Sequence, residues 1–212
     1  MFLDSGGMKI ESSILGIKNV KIHFKLTSPL TDLDSLKKSD FSIKKHSNYY
    51  IVREKSGYCV YSIFLKSGYV NVTGIRKFSQ IVPTLQNFNK KFKQNITIDK
   101  VKVDNSTVTG RFEILYESKE EKKPKIYLNL EQIKFLLDNH TEYKHIKANL
   151  TPANFPGIII RSKNLPTALV FTSARFTIVG GKTKQSIVKT HQQLCAIIEK
   201  YMKIFTPATS TA

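Results

Sequence analysis

"SGYVNVTGIRK" (residues 67–77) and "SARFTIVGGKT" (residues 173–183) share one frame. Each opens on Ser, passes a small residue and then an aromatic or basic one, alternates as a β-strand does, and closes on Gly, one residue, then Arg or Lys. An amphipathic helix is predicted after each. Residues 79–92 place Ile81, Val82, Leu85, Phe88 and Phe92 on one face, and residues 185–205 do the same with Ile187, Val188, Leu194, Cys195, Ile198, Tyr201, Met202 and Phe205. Pro83 falls near the first turn, where a missing N–H costs least. Shorter helical patterns at 30–38 and 128–139 precede the strands of each half. Each half therefore reads strand, short helix, several strands, long helix, which is a duplicated α+β unit.

The repeat divides the 212 residues into an N-terminal tail (1–13), a first repeat (14–95), a second repeat (96–206) and a short C-terminal tail (207–212). Asn19 to Gly74 spans 55 positions and Asn105 to Gly180 spans 75, so the second repeat is longer, with "ESKEEKKPK" (117–125) read as a charged, solvated insertion. Lys and Arg number 34 against 16 acidic residues, a net charge of +18. The excess is not a tail: residues 1–100 carry 17 basic and 7 acidic side chains, leaving 17 and 9 for the rest. Such a surface favours a polyanionic partner, nucleic acid before membrane. No stretch approaches a membrane span, and "MFLDSGGMKIESS" lacks the pattern of a signal peptide. Cys59 and Cys195 form no CxxC, and His140 and His145 sit alone in an expected loop, so no metal or cofactor site is expected. No P-loop, GxSxG or HExxH motif occurs, which leaves an enzymatic reading without chemistry.

The strands carry the functional argument. In residues 17–26, Val20, Ile22, Phe24 and Leu26 alternate with Asn19, Lys21, His23 and Lys25. Val70 and Val72 oppose Tyr69, Asn71 and Thr73, and Phe176 and Ile178 oppose Arg175, Thr177 and Val179. Helices take the apolar side, so the other side stays open, lined by Asn, Thr, Lys, Arg and aromatic residues.

Residues 154–201, "NFPGIIIRSKNLPTALVFTSARFTIVGGKTKQSIVKTHQQLCAIIEKY", resemble the second repeat of TATA-box-binding proteins. The features are Phe-Pro-Gly opening a strand, an Arg near its end, a later Phe before a Ser turn, Gly-x-Lys, and an amphipathic helix. Residues 67–77 resemble the matching stretch of the first repeat, and the likeness extends over residues 14–205, weakest from 25 to 65. The resemblance implies a pseudo-twofold saddle: a curved antiparallel sheet with helices on its convex face. It also implies a transcription initiation factor that lies in the minor groove of AT-rich promoter DNA, wedges phenylalanines between base steps and bends the duplex.

Carried over residue by residue, Phe155 and Phe171 match one wedge pair, Asn19 and Asn105 the central asparagines, and Thr73 a central threonine. Arg76, Arg161 and Lys182 match phosphate contacts, and Arg175 stands where the family has Lys. Val179 occupies the place of the symmetric threonine. Lys21, Asn71 and Thr107 replace valines of the groove floor, and Thr177 shares the open face. The first wedge pair is Tyr49 or Tyr50 with Phe64 or Leu65. The family's acidic contact for a transcription factor IIB partner is replaced by "TPAN" (151–154), so a IIB-like partner would need other charges. The resemblance places the protein in a nucleus, and the divergence points to a large DNA virus, hence a cytoplasmic factory or virion, or to an unusual eukaryote. The alternative is a saddle that has lost specific DNA binding and serves as a protein–protein scaffold in transcription.

Overall fold

The computed structural model describes residues 9–30, 33, 40–55, 57–115 and 127–205. The short helix expected at 30–38 and the charged insertion at 117–125 fall almost wholly or wholly outside them. Ten strands and three helices follow in the order β1 (Lys9–Lys25), β2 (Phe41–Lys45), β3 (Tyr50–Glu54), β4 (Val60–Phe64), β5 (Tyr69–Ile75) and α1 (Ile81–Phe92), then β6 (Lys102–Leu115), α2 (Leu130–Asn139), β7 (Ile146–Leu150), β8 (Gly157–Ser162), β9 (Thr167–Phe171), β10 (Arg175–Val179) and α3 (Lys184–Phe205). The run of five strands and a long helix is written twice. β1 already begins at Lys9, inside the stretch read as a tail.

Two compact units result, Ile17–Thr107 and the described parts of Met1–Gly16 with Val108–Ala212. The exchange falls inside β1 and inside β6, so each long strand serves both units. In Ile17–Thr107 the strands lie in the order β2-β3-β4-β5-β1-β6, a meander whose last strand pairs with the first. Val20, Ile22, Phe24, Val52, Tyr61, Ile63, Val70 and Val72 turn to one face and are buried there. α1 covers them with Leu85, Phe88 and Phe92. Phe88 anchors the packing through Phe24, Tyr61 and Phe92, at ring separations of 5.0, 5.3 and 4.3 Å. Buried aromatic pairs of this kind add about 0.5–1.5 kcal/mol each beyond their area.

In the other unit the order is β6-β10-β9-β8-β7. Ile158, Ile160, Ala168, Val170, Phe176 and Ile178 form the buried side, covered by Ile133, Leu136 and Leu137 of α2 and by Leu194, Ile197 and Ile198 of α3. Asn129 caps α2 by accepting from the N–H groups of Glu131 and Gln132. Gly110 lets Phe176 lie against β6: a Cβ there would stand 2.1 Å from the Phe176 ring.

Two expected core residues face water. Val82 and Val188 each follow an isoleucine of the buried stripe by one residue, a rotation of about 100° that carries them off the face. The seam of α3 instead closes with Ile197, fully buried, and Thr190.

Candidate nucleic-acid interface

Each unit keeps one sheet face that no described helix covers, and register fixes what lines it. In Ile17–Thr107 the pairing gives three cross-strand rows on that face: Lys25–Tyr69–Phe64, then His23–Asn71–Ser62–Ile51–Lys44, then Thr73–Val60–Arg53–Ser42. In the other unit the rows are Arg175, Phe171 and Gly157, then Thr177–Leu169–Ile159–Asn149, then Val179–Thr167, beside the pair Arg161–Lys147. The rows match position for position, as a duplicated strand plan requires.

Register decides which of Tyr49, Tyr50, Phe64 and Leu65 share the open face. Tyr50 points into the core and Leu65 lies in the turn after β4, whereas Tyr49 and Phe64 stack on the open face at 5.2 Å. His46 stacks on the far side of Tyr49, 4.6 Å away and nearly parallel. Phe64 and Phe171 both end their strands beside the hairpin, so they are counterparts. Their partners are not in the same register. Gly157 lies opposite Phe171, and Phe155 reaches over it from two residues earlier, ring centroids 5.7 Å apart. A Cβ on Gly157 would come within 2.9 Å of the Phe155 ring and 3.1 Å of Phe171. The glycine of Phe-Pro-Gly thus leaves room for the two tilted rings to meet above bare backbone. In the Ile17–Thr107 unit the shorter β2–β3 loop puts Tyr49 itself at the glycine's register.

Both asparagines lie on strands. Asn19 accepts from the N–H of Gly74 at 2.8 Å, and a β1–β5 register shift falls at this point. Gly74 is held at φ +91°, and a Cβ would strike the Tyr58 carbonyl oxygen at 2.0 Å, so glycine is required there. Asn105 is exposed on β6, and Thr107 is half-buried two residues on. Lys21 pairs with Asp104 at 3.2 Å, and His23 donates from Nδ1 to the other oxygen of the same carboxylate. Arg76 lays its guanidinium over the exposed Tyr58 ring at 3.9 Å. Arg161, Arg175 and Lys182 are exposed. Asn71, Thr73, Thr177 and Val179 are half-buried on the open face.

Sequence reasoning passed over four features. Arg53 occupies the row position of Arg161. Ile159 and Leu169 form an apolar floor in the Val108–Ala212 unit; "IIIR" and "TALVF" already signalled it, being apolar on both strand parities. Thr167 lies directly opposite Val179, while Val60 lies opposite Thr73. The threonine counted as lost at Val179 has a cross-strand substitute, because the Thr–Val pair is kept with its members exchanged. The fourth is Asp104, an anion on a face otherwise basic.

Among the described residues no group of His, Cys, Asp and Glu could hold a metal ion. His191 packs in α3 against the Phe176 ring at 5.5 Å, and its Nε2 lies 2.7 Å from the Ser12 hydroxyl. Burial holds its pKa below the usual histidine value.

The protein is thus a two-layer α+β unit written twice, with one open strand face per copy edged by paired aromatic rings. The family model described as "Transcription factor TFIID (or TATA-binding protein, TBP)" matches residues 123–201. A curated relative, the TATA-box-binding protein of Sulfurisphaera tokodaii, is 23% identical over 150 residues, 68% of this chain and 64% of the relative. The solved structure of Methanococcus jannaschii TBP superposes with a TM-score of 0.62 at 18% identity, over 87% of this chain and 98% of that one. That likeness shows the fold, and the two sequence matches are similarities to TATA-box-binding proteins.

Proposed function

We propose that the protein is a transcription initiation factor that binds the minor groove of AT-rich promoter DNA and bends it. The Phe155–Phe171 pair over Gly157 carries this reading: two rings held together at the rim of an open strand face suit insertion at a base step. The half-buried Thr, Val, Ile and Leu side chains behind them suit a groove floor poor in donors, as that of A·T pairs is. Arg53, Arg161, Arg175 and Lys182 supply cations toward phosphates. This function needs no catalytic group. Assembly with a IIB-like factor would have to proceed without the family's carboxylates, since Thr151–Asn154 are exposed and uncharged.

The test is a salt titration of binding with end-to-end FRET on an AT-rich duplex containing TA steps and on a GC-rich duplex. Preference for the first with a bend supports the reading. Equal, salt-sensitive binding without a bend would favour a protein–protein scaffold. That second reading draws on two cations already engaged: Lys21 by Asp104 and Arg76 by Tyr58.

A further inference from the structure

We infer that Asp104 is a base-reading acceptor that admits a minor-groove amine, the group guanine adds to a G·C pair, against the Ile17–Thr107 unit. This rests on the groove-binding reading above and deepens it. Three observations carry it. The carboxylate lies on the open face, contacting Lys21 and His23, whose neighbours Val20, Ile22 and Phe24 are all buried on the other side. Its two oxygens take one partner each, so each keeps a lone pair, and the side chain remains 27% exposed. The near surroundings are polar: Asn71 and Ser62 follow His23 in its row, before Ile51.

The equivalent row of the other unit reads Thr177, Leu169 and Ile159. An N2 amine brought against Leu169 and Ile159 would lose water and gain no acceptor, a cost typical of an unsatisfied buried donor. Against Asp104 the same amine gains a charge-assisted bond. The two rows keep an isoleucine each, Ile51 and Ile159, and differ in Ser62 against Leu169 and in the carboxylate of Asp104, so a site with a G·C pair in one half would be bound in one direction.

Replacing single adenines of an AT-rich duplex by 2,6-diaminopurine adds this amine and leaves pairing with thymine intact. Competition binding with each substituted duplex is expected to show tolerance of the amine at positions in one half, and a loss of roughly tenfold in the other. Asp104→Ala should make the loss uniform, while Asp104→Asn, which keeps one acceptor, should retain part of the tolerance. FRET on the all-adenine duplex monitors whether each variant still folds and bends DNA. Wild-type protein that bends the all-adenine duplex yet is penalised equally at every position overturns the role of Asp104 alone. Tolerance that survives Asp104→Ala does the same. Absence of AT preference and of bending would overturn the proposed function and this inference with it.

Discussion

Phe155 and Phe171 meet over Gly157, where a Cβ would come within 2.9 Å of one ring and 3.1 Å of the other. Replacing both with Ala should abolish most of the FRET-measured bend while leaving nonspecific, salt-sensitive affinity nearly intact; parallel losses would argue against wedging. Arg53 and Arg161 hold matching places, so each Arg→Ala change should weaken binding to all sequences and flatten the salt slope by about one unit. Glu54 answers to stability instead. Buried, it accepts from the Tyr61 hydroxyl at 2.7 Å and from Asn87 at 2.9 Å, and burial with this carboxylate pushes the Tyr61 pKa far up. Glu54→Ala orphans both donors and should cost about 2–4 kcal/mol in urea denaturation. His191 gives a pH signature. Its folded-state pKa lies below the unfolded value of 6.5, so below that pH the unfolded chain takes up the proton first. Stability should therefore fall as pH drops below that value, and His191→Gln should flatten that slope in thermal melts.

At the scale of elements, the periods in the sequence were legible wherever one face is buried. α1 and α3 appear within a few residues of their expected ends, and β1, β5 and β10 alternate as read. The misses share a cause. The helical period reads Val82 and Val188 into the stripe, whereas each lies about 100° round the helix from the buried isoleucine before it and is exposed. The wedge register could not be read because the β2–β3 and β7–β8 loops differ in length, and only strand pairing shows that Tyr49 takes the glycine's place. Lys93, which ends α1 in the left-handed region at φ 51°, predicts a gain: Lys93→Gly should raise stability by up to about 1 kcal/mol in a thermal melt, with DNA binding unchanged.

For the whole molecule, a net charge of +18 predicts affinity that falls steeply with salt for any duplex, so preference has to be read at matched ionic strength. By itself the sequence determined the duplication, the α+β class, the presence of open strand faces and the Phe-Pro-Gly signature, since these rest on period and local turn chemistry, which a linear chain displays. Tertiary structure alone decided the rest. The exchange of Thr and Val between paired strands and the match of Arg53 to Arg161 rest on register, and the meeting of Asp104 with Lys21 and His23 joins residues up to 83 positions apart. Cross-strand register sets those neighbours, and register is a property of pairing that no single strand carries in its own sequence.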